Sequence, residues 1–230
     1  MRLLTLGIVV SALAMAGLPA APGESTGQLR AVVTLTGADG RTATAAQAVV
    51  WIPGLGNPKE SRPATRLVMS SKDKRFEPRV LAVPVGAPVS FPNLDKIFHN
   101  VFSLSDKNRF DLGLYRNGAS RTAIFEHPGV VRVYCNIHSQ MAAYVVVVDG
   151  AFYGRTGADG VVLLSAVPAG RHPLRAWDER GGEWSGSVEV LPGRTVEVPV
   201  GLDERGWRDQ PHKNKYGKSY PLPGDDDNRY

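Results

Sequence analysis

Cysteine is almost absent: Cys135 is the one thiol in 230 residues. With no second cysteine there is no internal disulfide, so packing and hydrogen bonds alone must hold the fold. Long apolar runs are also missing beyond the N-terminus. After Leu18 nothing approaches the roughly 20 apolar residues needed to cross a bilayer, so no transmembrane segment is expected in the mature chain. No extended stretch repeats its apolar residues at a period of 3.6, which argues against a helical protein. Clusters of basic charge are lacking too. The 27 Lys and Arg residues are scattered among 22 Asp and Glu, giving a formal charge of +5, and no nucleic-acid partner is expected from that pattern.

The N-terminus has the layout of a secretory signal. Arg2 precedes the apolar stretch Leu3–Leu18, and Pro19-Ala20-Ala21 follows it. Residues 1–20 are therefore read as a signal peptide cleaved after Ala16 or Ala20, with the mature protein exported to the periplasm. A lone thiol in an oxidising compartment needs a chemical reason to be there. It can be an inert core residue, an intermolecular bridge, a nucleophile or a metal ligand, and its neighbours must decide.

The rest of the chain reads as all-β. Apolar and β-branched runs of four to eight residues alternate with Gly, Pro, Asn and Asp turns, a texture of sandwiches and barrels. Expected strands include Leu29–Thr36, Ala48–Ile52, Val80–Val85, Pro88–Pro92, Val101–Leu104, Thr122–Phe125, Val130–Cys135 and Ala143–Val148, with four more between Gly160 and Val200. The pentapeptide Thr-Gly-Ala-Asp-Gly occurs at Thr36–Gly40 and again at Thr156–Gly160, each time as a turn between strand-like segments. A boundary is expected near Asp149-Gly150, where the most apolar strand ends. That gives a first domain over 27–149, a smaller sandwich over 150–202, and a polar tail over 203–230, extended or disordered and ending in the acidic run Asp225–Asp227. The strands before Arg75 have two possible partners: the sheet of the first domain, or the second module.

Chemistry concentrates at Cys135-Asn136-Ile137-His138-Ser139-Gln140-Met141, a thiolate, an imidazole and a thioether within seven residues. The preceding strand alternates Val131, Val133 and Cys135 on one face against Arg132 and Tyr134 on the other, so Cys135 emerges core-facing at the strand's end. A short loop can bring His138 and Met141 back towards the sulfur. Upstream, Phe98-His99-Asn100-Val101 supplies a second imidazole. Two histidines, a thiolate and a weak axial methionine are the donor set of a blue-copper electron-transfer site, where soft sulfur suits Cu(I) and nitrogen suits Cu(II). Gln140 is an adjacent alternative axial donor.

At these residues the chain resembles the cupredoxin family, and the Cys-x2-His-x2-Met spacing looks most like amicyanin. Phe76-Glu77-Pro78, then Val83, Gly86, Val89, Phe91, Asn93 and Asp95, lead to His99-Asn100-Val101 in the manner of plastocyanin-like proteins. Phe125–Cys135 and Tyr144–Val148 are similar to their last two strands. The resemblance covers about Arg75 to Asp149. It implies a Greek-key β-sandwich holding one type 1 copper through His99, Cys135, His138 and Met141, with Asn100 as a hydrogen-bond partner near the sulfur. The whole arrangement also resembles larger periplasmic proteins labelled methylamine-utilisation proteins. In those, a transthyretin-like or carboxypeptidase-regulatory-like sandwich follows, here Phe152–Val200. The implied role is electron transfer with a redox partner such as a c-type cytochrome or a periplasmic dehydrogenase, and no enzymatic activity.

Competing readings are weaker on chemistry. A cysteine-histidine hydrolase would need an accessible cleft and an oxyanion hole, neither of which is visible. Structural zinc rarely uses a thioether, and one Cys with two His leaves a ligand missing. A copper carrier or storage protein uses the same ligands, and a structural cell-envelope sandwich without redox role is the remaining alternative. His127, His172 and His212 are read as structural or surface residues.

Overall fold

The computed structural model describes residues 25–57, 66–208 and 212–220. The signal-peptide reading and the acidic run Asp225–Asp227 lie outside them. In chain order the strands are β1 (Thr26–Thr36), β2 (Thr42–Thr44), β3 (Val49–Trp51), β4 (Leu67–Val68), β5 (Ser70–Lys72), β6 (Arg75–Glu77), β7 (Val80–Pro84), β8 (Pro88–Pro92) and β9 (His99–Ser103). They continue with β10 (Phe110–Tyr115), β11 (Ser120–Ile124), β12 (Gly129–Tyr134), β13 (Ala142–Val148), β14 (Tyr153–Arg155), β15 (Val161–Pro168), β16 (Gly170–Asp178), β17 (Gly182–Val190) and β18 (Thr195–Asp203). The only helical piece among the described residues is a 3-10 turn at Asp106–Asn108. No helix there is long and apolar enough to cross a membrane.

The all-β expectation holds, and the strands form two sandwiches. In the first, the sheet β10-β9-β12-β13-β7 faces β11-β8-β4. Its core takes Val83, Val89, Phe91, Val101, Val131, Val133, Val145 and Val147 from strands of both sheets. In the second, β15-β1-β18 faces β14-β3-β16-β17 across Leu29, Val33, Val50, Leu164, Leu174, Val188 and Val200.

The domain expectation over 27–149 needs a correction at its N-terminal side. β1 pairs in parallel with β18 from Gln28 to Thr36 and antiparallel with β15, while β3 lies against β14 and β16. The first strands thus belong to the sheets of the second sandwich. Burial gives the physical reason. Alternate residues Leu29, Ala31, Val33 and Leu35 all point into that core, and any other placement would leave this apolar face uncovered.

β13 explains why the most apolar strand ends at the boundary. Its Ala143, Val145 and Val147 face the first core. Val146 and Val148 on the other face pack with Val49, Trp51, Val80 and Trp177 of the joint between the sandwiches. A strand covered on both faces reads as a continuous apolar run rather than an alternating one. The joint is further tied by Arg79, whose Nε donates to Glu179 Oε2 at 2.6 Å, and by Arg155 Nη1, which donates to Val80 O at 3.0 Å.

The two Thr-Gly-Ala-Asp-Gly segments form matching turns. Gly37 and Gly157 donate to the carbonyls of Arg41 and Val161, and Gly40 and Gly160 donate back to Gly37 and Gly157. Gly40 and Gly160 sit at φ +76° and +73°, a conformation that glycine adopts without a Cβ penalty. β10 was missed in the sequence because Asp111 and Gly113 interrupt its pattern. In the structure its pairing with β9 shifts register between Asp111 and Leu114, and Gly113 has φ +69°.

Leu29→Ala empties a site in the second core, and we expect it to cost about 2–5 kcal/mol in denaturant unfolding. A change below about 0.5 kcal/mol would mean that β1 contributes little to that sandwich.

Candidate metal centre

Three strand ends converge at one edge of the first sandwich. His99 opens β9, Cys135 directly follows β12, and the connection from Cys135 to β13 carries His138 and Met141. The sharpness of that connection is set by backbone hydrogen bonds. Cys135 N donates to Met141 O at 3.2 Å, and Met141 N donates to His138 O at 3.1 Å. The loop is thereby closed on itself, with His138 facing back towards the strand that carries the sulfur.

Cys135 Sγ lies 3.8 Å from His99 Nδ1 and 3.6 Å from His138 Nδ1. The imidazole centroids are 4.9 Å apart, and the three potential donor atoms all fall within 4.8 Å of one another. An ion bonded at about 2.0–2.3 Å to nitrogen and sulfur holds its ligand atoms roughly 3.5–3.8 Å apart, so the sulfur-to-nitrogen spacings suit direct coordination. Cys135 and His99 are buried, while His138 is half-buried.

Burial dominates the electrostatics at the sulfur, and the thiol pKa is raised on balance. Burial pushes the Cys135 thiol pKa up, while backbone N–H groups of Ile137, Asn100 and His138 stabilise the thiolate and pull it down. Burial also lowers the pKa of His99 against the opposing influence of Asp95, favouring the neutral imidazole that a metal needs.

Asp95 stands behind His99. Its Oδ2 is 2.7 Å from His99 Nε2, on the side of the ring away from the sulfur. The same carboxylate accepts from the backbone of Asp73 at 2.6 Å and Lys74 at 2.9 Å. Burial raises its pKa, but these hydrogen bonds outweigh that and hold it below the usual carboxylate value. With the carboxylate ionised, Nε2 carries the ring proton and Nδ1 presents its lone pair to the sulfur side. Buried Asn93 shapes the loop that delivers Asp95. Its Nδ2 donates to Ile97 O and Tyr115 O, and its Oδ1 accepts from Asp95 N at 3.0 Å.

The sequence-predicted residues come together in large part. His99, Cys135 and His138 form one cluster, and Met141 is buried in the core that contains Cys135. Asn100 places its backbone N–H at the sulfur and donates its side-chain amide to Asp111 Oδ1 at 2.7 Å. Gln140 is exposed. His127 lies exposed on a turn, and His172 bonds Pro168 O within the second sandwich, as expected for structural or surface residues.

His212, also read as a structural or surface residue, stacks on Tyr134, the residue before Cys135, at 4.0 Å between ring centroids. Asp95 was visible as a carboxylate four residues before His99, but its hydrogen bond depends on a loop whose path the sequence does not display. Tyr220 and Lys215, which also reach this region, carry no sequence signal of doing so.

Comparisons with known proteins give low similarity. No protein-family model and no curated protein matches the chain. Among solved structures, it is similar to a copper-containing nitrite reductase from Thermus scotoductus at 21% identity and TM-score 0.35, over 42% of this chain and 27% of that one. It is also similar to a Cu(I) amicyanin variant at 20% identity and TM-score 0.34, over 43% of this chain and 97% of the amicyanin. A reduced amicyanin variant aligns at 22% identity and TM-score 0.34, over 43% and 97%.

Asp95→Ala would leave His99 Nε2 and two backbone donors without their acceptor, and we expect a loss of about 1–3 kcal/mol in stability of the metal-free protein by urea unfolding. Unchanged stability would remove the carboxylate from the site's support.

Proposed function

We propose that the chain is a cupredoxin-type electron carrier, exported to the periplasm, that holds one copper ion through His99, Cys135 and His138 with Met141 as the weak axial donor. The observation that carries this reading is the pair of imidazole Nδ1 atoms set 3.8 and 3.6 Å from one buried sulfur. That donor set, two nitrogens with a thiolate, matches a copper redox site better than structural zinc, which takes four strong ligands. Bound copper would supply a reversible one-electron change.

The protein's own part is to keep the donors in place through both oxidation states. Asp95 orients His99, the backbone N–H groups of Asn100, Ile137 and His138 hold the sulfur as an acceptor, and the Cys135–Met141 backbone bond fixes the loop. Little needs to move when an electron arrives or leaves, so the reorganisation cost is small.

Half-buried His138 is the ligand nearest solvent, and Leu94 and Phe98, 54% and 40% exposed, lie on the loop before His99. Small apolar contacts of this kind suit brief encounters with a c-type cytochrome or a periplasmic dehydrogenase. No substrate is turned over on this reading.

The test is one equivalent of Cu(II) added to the mature protein, followed by visible and spin-resonance spectra before and after ascorbate. An intense thiolate-to-copper band is expected that bleaches on reduction and is absent in Cys135→Ser. A colourless complex, or one with ordinary tetragonal Cu(II) signals, would favour a copper carrier or a structural role.

A further inference from the structure

The polar segment after the second sandwich returns to the first one and docks beside the thiol. Between His212 and Tyr220 the chain closes a loop on itself. Asn214 N donates to Lys218 O at 2.9 Å, Gly217 N donates to Asn214 O, and Asn214 Oδ1 accepts from Tyr216 N and Lys218 N at 3.0 Å. Gly217 has φ +75°, which the turn requires. The two ends of the loop therefore meet, with the rings of His212 and Tyr220 edge to face at 5.2 Å.

Four contacts fasten this loop to the residues around the sulfur. Tyr220 Oη donates to Cys135 O at 2.6 Å. The His212 ring stacks on Tyr134. Lys215 N donates to Asn136 Oδ1 at 3.0 Å, and Lys215 Nζ reaches Asp111 Oδ2 at 2.7 Å. Tyr134, Cys135 and Asn136 are consecutive, so the loop grips the thiol-bearing residue and both its neighbours.

Asp111 extends the grip. Its other oxygen accepts from the side chain of Asn100, whose backbone N–H faces the Cys135 sulfur. The hydroxyl that donates to Cys135 O is left to accept from His212 Nδ1 at 3.2 Å, and Nδ1 also faces Lys213 O. The proton thus sits on Nδ1, and burial lowers the pKa of the ring, which favours the neutral form that stacks on Tyr134.

We propose that residues 212–220 are a strap that closes the thiol segment of the site, with Tyr220, His212 and Lys215 as positioning residues for Cys135. The strap holds the 134–136 backbone in place and excludes solvent reagents from the sulfur. It is fastened by a few hydrogen bonds and one ring stack, far fewer contacts than hold the sandwich beneath it. It therefore opens at a lower free energy than the sandwich beneath it, giving a local route by which the thiol, and any metal it holds, exchanges with the surroundings. This role takes the site of the proposed function as its object, but its core claim concerns the metal-free protein.

The test is the rate at which a water-soluble maleimide labels Cys135 in the metal-free chain under native conditions. We compare the full mature protein, a chain ending at Pro211, Tyr220→Phe and, as a control at an exposed strap position whose side chain makes none of the four contacts, Lys218→Ala. Ending the chain at Pro211 is expected to speed labelling at least tenfold, and Tyr220→Phe several-fold. Lys218→Ala should leave it unchanged, and the main urea transition should shift little in all of them.

Equal labelling rates in the full and shortened chains would overturn the strap. Faster labelling that only tracks a lowered urea midpoint would overturn it too, since global unfolding would then explain the access. If copper gives no thiolate band while the shortened chain still labels faster, the electron-carrier reading fails and the strap stands.

Discussion

A thiol buried in an apolar core is costly to ionise, and the copper ligand proposed for Cys135 must be ionised. That conflict at Cys135 organises the edge of the first sandwich. Burial raises the thiol's pKa, and three backbone N–H groups, from Asn100, Ile137 and His138, oppose it. They reach the sulfur only because β9 and the loop before β13 run close beside the end of β12. The same closeness brings both imidazole Nδ1 atoms to within 3.8 Å of the sulfur. Shared burial, rather than any single contact, couples the thiolate, the histidines and the strand ends.

Each histidine is served by a different part of the fold. His99 is buried and depends on Asp95, which in turn depends on Asn93 and on the backbone of the turn between β5 and β6. His138 sits on the loop that the Cys135–Met141 hydrogen bond draws tight. One imidazole is positioned by a chain of buried hydrogen bonds and the other by a short loop. The first lies buried inside the sandwich, and the second is half-buried, nearer to solvent.

The second sandwich is more than an appendage. The described residues begin in it, at β1, leave to build the first sandwich, and come back at β14. The first sandwich is therefore inserted between strands of the second, and the two share the apolar joint around Trp51, Val146, Val148 and Trp177. After β18 the chain crosses again to the first sandwich and places His212, Lys215 and Tyr220 around the thiol segment. Both crossings bind the first sandwich to the rest of the molecule, at its flank and at the edge that carries Cys135.

The sequence alone determined the all-β class, most of the strands, and His99, Cys135 and His138, three residues that the structure brings together. Side-chain alternation at period two and the choice of soft and imidazole donors are local properties, legible in single segments such as Val130–Cys135 and Cys135–Met141. Tertiary structure decided which sheet β1 joins, because an alternating strand advertises an apolar face but not the surface that will cover it. It also decided that Asp95 meets His99 and that the polar tail folds back on Tyr134, Cys135 and Asn136. Those contacts join residues as far as 85 positions apart through a few hydrogen bonds and a ring stack. They leave no periodic trace in composition, since polar residues that solvate a tail are the same ones that fasten it.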